Sequence, residues 1–238
     1  MKNKVLKENG TGKEMQLAHR IYRGISRKIS PLISRAPLTP NQISVISLLF
    51  IIAGSVLVGF GEYMKVLIGA AIIQIGMLLD FVDGDVARIR GMSSLFGNWL
   101  DCVLDRAGDL AVLIGLIIGV ANNPQYLSEW FEYVGIADPL PAILTAGILL
   151  IGLRFAVDST YAYTLLYAPG SVRIYKETKK SLLMEIVFSR VTFIYFLIFI
   201  AAIFNLLPLY FIGLVIYLLL WYPTLLAALF LKVRKLQS

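Results

Sequence analysis

The chain has 238 residues, of which 58% are apolar and only 16% charged, with a mean hydropathy of +0.77. A soluble globular chain sits near ~45–50% apolar and about 25% charged. These values exclude a soluble domain, a disordered chain, collagen and a coiled coil, and leave a helical membrane protein. One cysteine, Cys102, excludes a disulfide framework, and one histidine, His19, argues against a histidine-ligated metal or a histidine-based triad. The net charge of +7 is read through the positive-inside rule and anionic lipid, with no nucleic-acid partner.

In chain order, the basic first thirty residues lack an apolar h-region, so no cleaved signal peptide is expected. Residues 13–34 predict an interfacial helix. Leu17, Ile21, Ile25 and Ile29 recur every four residues, with Arg20, Arg23, Arg27 and Lys28 on other faces. A basic amphipathic helix on an anionic leaflet is expected; the alternative is a solvated arm that only steers topology. Thr39-Pro40-Asn41-Gln42 then reads as an N-cap, a first-turn proline and a capping box, or as a helix start offering amide donors to a phosphate.

Six apolar runs follow, over 43–60, 66–88, 97–121, 140–166, 185–204 and 209–231. Each is close to the roughly 20 residues that cross a ~30 Å core. Between the third and fourth, Tyr126, Trp130, Phe131 and Tyr133 read as an aromatic interface anchor. The N-terminal segment carries nine Lys and Arg, the second connection two, the fourth four and the tail three, against Lys65 alone on the other side. That bias puts both termini in the cytoplasm. The expected organisation is a cytoplasmic segment over 1–38 and one membrane domain over 39–238.

Acidic residues inside membrane spans are costly and are functional candidates by default. Asp80, Asp83 and Asp85 end the second span; Asp101, Asp105 and Asp109 begin the third. Asp80 with Asp83, and Asp101 with Asp105, share helical faces. At ~1.5 Å per residue, Asp80 lies about 22 Å from Lys65 and Asp105 about 25 Å from Asn122, so the two pairs face each other at one level. Facing carboxylates repel unless cations sit between them, and oxygen-only ligands favour Mg²⁺, Mn²⁺ or Ca²⁺. Arg154 and Arg190 reach the same depth by the same count, which predicts one polar cavity open to the cytoplasm. Arg154 could instead pair with Asp158, Arg190 could snorkel to the headgroups, Asp85 could face the cytoplasmic surface, and Asp109 could pair with Arg106. Cys102 and Met92 read as packing residues.

The stretch Asp80-x2-Asp83-Gly84-x2-Ala87-Arg88-x8-Gly97-x3-Asp101-x3-Asp105 resembles the CDP-alcohol phosphotransferase signature at all eight positions and all gaps. The resemblance implies an all-α enzyme of six transmembrane helices, usually a homodimer, in which an acceptor hydroxyl displaces CMP from a CDP-linked donor. It implies two divalent cations, Mg²⁺ or Mn²⁺, on Asp80, Asp83, Asp101 and Asp105, with Asp105 as general base. It implies close approach of cytidine at Gly84 and Ala87, and a donor phosphate at Arg88. Ser94, Gly97, Asn41 and Ser44 would help to bind the nucleotide.

Leu100-Asp101-x2-Leu104-Asp105-Arg106-x2-Asp109 is similar to the inositol-phosphate-using members, the phosphatidylinositol-phosphate and di-myo-inositol-phosphate-phosphate synthases. Arg154 and Arg190 fit an acceptor with its own phosphate. The expectation is transfer from a CDP-linked lipid to a polyol phosphate, inositol phosphate first. The alternatives are a CDP-inositol donor, an acceptor such as glycerol 3-phosphate or serine, and, in another class, a cation transporter. Transport needs a path to both faces, and the charge-free stretches 66–79 and 110–121 argue against one.

Overall fold

The computed structural model describes residues 17–124, 126–133, 135–167 and 191–235, and all regular structure among them is helical. The elements are α1 (Leu17–Ile33), α2 (Pro40–Gly59), α3 (Tyr63–Arg90), α4 (Leu95–Asn122), α5 (Tyr126–Tyr133) and α6 (Leu140–Tyr167), then a π-helical turn (Val191–Phe196), α7 (Leu197–Ile203) and α8 (Leu207–Lys235). Among the described residues, four stretches, Pro40–Gly59, Tyr63–Arg90, Leu140–Thr160 and Leu207–Ala227, are long and apolar enough to cross a membrane. The 28-residue α4 matches the third predicted span in position, but Asp101, Asp105, Arg106 and Asp109 crowd its first half. The first part of the fifth predicted span lies outside the described residues, as do the basic residues before Leu17 and those of the fourth connection.

Local chemistry sets the helix ends. Thr39 and Gln42 form the predicted capping box: Gln42 N donates to Thr39 Oγ1 at 3.3 Å, and Thr39 N donates to Gln42 Oε1 at 2.8 Å. α3 stops at Gly91, whose φ of +67° suits glycine, and the Met92 amide returns to the Ala87 carbonyl at 2.9 Å. Ser94 then caps α4 by accepting from Gly97 N at 3.0 Å.

α2 packs along both α3 and α4, and glycines make this possible. A Cβ on Gly54 would stand 2.5 Å from the Gly69 carbonyl oxygen, and one on Gly69 would stand 2.5 Å from that of Gly54. Small residues let helix backbones approach this closely in a lipid setting. Gly54→Ala is therefore expected to destabilise the protein by about 1–3 kcal/mol, read by thermal unfolding in detergent. Gly152→Ala is the control, because nothing lies within 4 Å of a Cβ there.

α1 carries three faces. Ala18, Tyr22, Ser26 and Ser30 recur every four residues and are buried against the rest of the protein. Ile21, Ile25 and Leu32 point away from it, as do Arg20, Arg27 and Lys28. Ile21 and Ile25, from the apolar stripe read in the sequence, are thus directed outward, where a bilayer interface would take them. Tyr22 stacks on Phe81 of α3 at 5.4 Å between ring centroids. The loop from α1 to α2 is fastened by Arg90, whose guanidinium donates to the carbonyls of Ser34 (2.7 and 2.9 Å), Leu38 (2.5 Å) and Ala36. α5 carries the predicted aromatic segment, with Trp130 and Tyr133 exposed.

Candidate active site

α3 and α4 form a hairpin joined by residues 91–94, and their acidic ends meet at its closed end. The helical spacing of Asp101 and Asp105 puts both on the face that looks toward Asp80. Each of the three offers a carboxylate oxygen within 4.8 Å of the others, and all three are half-buried. Like charges this close repel, and a cation held among them would offset that repulsion. The ligand atoms are all oxygen, which fits a hard divalent ion of the Mg²⁺ or Mn²⁺ type and does not fit a thiolate- or imidazole-seeking metal.

Asp83 is buried beside this group, 6% exposed, and Ser44 Oγ of α2 donates to its Oδ2 at 2.5 Å. Asp101 and Asp105 are near enough for their charge to act on it. Ser44 therefore touches a signature carboxylate directly. Asn41 and Ser94 converge on Gly97: a Cβ there would stand 3.3 Å from Asn41 Oδ1 and 3.2 Å from Ser94 Oγ. The two η nitrogens of Arg88 lie 3.5 Å from where a Gly84 Cβ would stand. Ala87 is half-buried in the same last turn of α3. The fold thus brings the signature residues to one end of the α2–α3–α4 unit.

Arg154 pairs with two other carboxylates. Its Nη2 donates to Asp109 at 2.9 Å and its Nη1 to Asp158 at 2.7 Å, and its side chain is only 14% exposed. The intrahelical pair with Asp158 is present, as one of the two sequence readings had it, and a second carboxylate from α4 is added. Arg190 lies outside the described residues.

Three expectations are corrected. Asp85 does not face the surface: it is 7% exposed and held between α1 and α3, because Ser26 and Ser30 supply hydroxyl donors that the sequence did not mark. Asp109 meets Arg154 and the Tyr195 hydroxyl (2.8 Å), while Arg106 donates to the Cys102 carbonyl and approaches Asp158 at 4.0 Å. Cys102 and Met92 are both exposed and pack into no core of this chain.

Residues missed by the sequence reading lie between distant elements. The Gln74 amide donates to the Tyr195 carbonyl at 2.7 Å and accepts from the Tyr22 hydroxyl. It therefore ties α1 to the π-helical turn, a feature found often at functional sites. An amide alone in the apolar run 66–79 was a usable signal; Tyr195, one of 12 tyrosines, gave none.

Apolar helices that present a cation-fitting acidic group at the end of one hairpin define a membrane protein with an acidic metal-type site. The chain belongs to the CDP-alcohol phosphatidyltransferase family, whose profile matches residues 37–231; members of this family are transferases. It is similar to the bifunctional IPC transferase and DIPP synthase of Aquifex aeolicus, 30% identical over 67% of this chain and 33% of that protein. It is also similar to the archaetidylinositol phosphate synthase of Pyrococcus horikoshii, 34% identical over 39% of this chain and 47% of that protein. A third relative is the phosphatidylinositol phosphate synthase of Mycobacterium tuberculosis, 32% identical over 44% of this chain and 48% of that protein. The matched segments span a third to about half the length of these relatives.

Proposed function

We propose that this protein transfers a phospho-alcohol group, phosphatidyl or archaetidyl, from a CDP-linked lipid to a hydroxyl of inositol phosphate, releasing CMP. The observation that carries this reading is the convergence of Asp80, Asp101 and Asp105 beside Gly84 and Arg88. The relatives named as archaetidylinositol phosphate and phosphatidylinositol phosphate synthases support the choice of substrates. The relative named as a DIPP synthase keeps a CDP-inositol donor as the one rival.

In this reading Asp80, Asp83, Asp101 and Asp105 hold two divalent cations. Such ions, when bound, offset the pyrophosphate charge and stabilise the entering and leaving oxygens. Arg88 holds a donor phosphate with its guanidinium fork. Asn41, Ser44, Ser94 and the uncrowded backbone at Gly84, Ala87 and Gly97 receive the nucleotide. Asp105 takes the proton of the acceptor hydroxyl as its oxygen bonds to the distal phosphorus and the bond to CMP breaks. Six spans, both termini and the site on the cytoplasmic side, α1 on the anionic leaflet, and a homodimer complete the proposal. The excess of Lys and Arg on one side supports the orientation.

The test is a matrix of CDP-diacylglycerol, CDP-archaeol and CDP-inositol against inositol phosphate, glycerol 3-phosphate, serine and free inositol, scored by CMP release and product mass. The proposal expects turnover with a lipid donor and inositol phosphate. Turnover with CDP-inositol alone would replace it with the rival.

Arg154 and Arg190 are assigned to the acceptor phosphate. Arg154→Gln is expected to raise the apparent KM for inositol phosphate about tenfold or more, the scale of one lost charged hydrogen bond. Donor KM should stay near wild type. The same change leaves the buried Asp109 without its guanidinium, so thermal stability should fall as well. A stability loss with unchanged acceptor KM would assign Arg154 to structure alone.

A further inference from the structure

Arg23 enters the sequence reading only as positive charge on α1, yet the fold turns it inward. Its Nη1 lies 3.9 Å from Oδ1 of Asp85, the same oxygen that Arg88 Nη2 holds at 2.5 Å. The other Asp85 oxygen is occupied from α1, where Ser26 Oγ donates at 2.7 Å; Ser30 Oγ stands 3.5 Å from it and donates at 2.7 Å to the Ser26 carbonyl. Both serines are fully buried. Asp85 is therefore a fixed carboxylate that meets two guanidiniums at one oxygen, one from each helix. Two positive charges against one negative leave this seam cationic.

Arg23 is also braced by the Phe81 ring, 5.9 Å from its guanidinium carbon. Its Nε is buried and finds no hydrogen-bond partner among the described residues. A buried charged donor without an acceptor is costly unless a ligand supplies one. Burial, then the neighbouring Arg88 charge, lower the Arg23 pKa, and the Asp85 carboxylate opposes this without reversing it. The Arg88 guanidinium lies over Gly84, so the cationic seam borders the carboxylate site. Neither Asp85 nor Arg23 is a signature position, so the roles given above to the signature residues leave their arrangement unexplained.

We propose that Arg23 and Arg88, drawn together by Asp85, form a two-guanidinium clamp for a phosphate of the CDP-linked donor, which makes α1 part of the donor site. This rests on the transferase reading above. In it, Asp85 and the two serines are positioning residues: they touch no substrate, and they fix the angle at which the guanidiniums meet the phosphate. Two guanidiniums from different helices also couple donor binding to the docking of α1 on α3.

The test uses the full chain in vesicles of zwitterionic lipid, with the CDP-linked donor that the wild type turns over and inositol phosphate as acceptor. Arg23→Gln is expected to raise donor KM about tenfold, the scale of a lost charge-assisted contact, with kcat and acceptor KM near wild type. Asp85→Asn keeps an acceptor for Ser26 and Ser30 but loses the charge that gathers the guanidiniums, so it should raise donor KM as well. Wild-type donor KM in Arg23→Gln would overturn the clamp, whatever happens to thermal stability. So would a defect seen only in vesicles containing phosphatidylglycerol, because Arg23 would then serve bilayer phosphates. Should Arg23→Gln not fold, Arg23→Lys decides: an ammonium cannot reproduce the guanidinium fork, so donor KM should rise several-fold, and a wild-type value overturns the clamp. A wild type that releases no CMP from any of the three donors would overturn the transferase reading itself, a result distinct from all of these.

Discussion

Asp101→Ala, and equally Asp80→Ala, is expected to abolish CMP release while leaving a folded, membrane-inserted protein. Each change removes one of three carboxylates whose oxygens lie within 4.8 Å of one another. The remaining oxygens would hold a hard divalent ion too weakly to fill the site. Losing one charge from a cluster of like charges also relieves repulsion. Two measurements separate the cases: CMP release across a Mg²⁺ titration, and the Mg²⁺-dependent rise in thermal midpoint that ligand binding confers. The wild type should show both and the variants neither. Wild-type activity in excess EDTA, with metal depletion confirmed, would sink the metal mechanism.

Asp105→Asn separates proton transfer from metal binding. Asparagine keeps the size of the side chain and one oxygen, but it cannot take a proton from the acceptor hydroxyl. Turnover is expected to fall at least ~10²-fold, the scale of general-base catalysis, while donor binding persists at raised metal concentration. Asp105 is half-buried on α4 beside Asp101 and Asp80, so the loss should appear in kcat more than in donor KM. Near-normal turnover in a folded variant would remove Asp105 from the base role.

Much of this was legible in the chain before any coordinate. The helix limit at Thr39 was read from its capping box, whereas the caps at Gly91 and Ser94, which act over equally few residues, emerged only from the structure. Asp101 and Asp105 share a face because the α-helix repeats every 3.6 residues. That Asp80 meets them follows from two helices joined by a short turn, whose directions leave little choice. The signature residues were therefore both nameable and placeable in space.

What the sequence could not show has one common feature: the partners are far apart along the chain. Ser26 and Asp85 are 59 residues apart, Gln74 and Tyr195 121, and Arg154 and Asp109 45. The sequence reading gave α1 a lipid-facing stripe and a charged side, and missed the third face of Ala18, Tyr22, Ser26 and Ser30, because small and hydroxyl residues leave almost no hydropathy signal. It also left open a surface position for Asp85, since a carboxylate near a helix end is ordinarily solvated.

The sequence by itself thus determined the solvent and the local geometry: an apolar chain for a bilayer, helices with defined ends, and an acidic hairpin of a recognisable family. Those properties depend on residue type and on spacings of a few residues, which periodicity and capping encode directly. Only the tertiary structure decided which charges meet. It added Asp109 to the Arg154–Asp158 pair that the sequence had offered, seated Asp83 on Ser44, and turned Arg23 toward the oxygen of Asp85 that Arg88 holds. Buried charges select their partners by distance and desolvation in three dimensions, and those quantities exist only once the helices have packed.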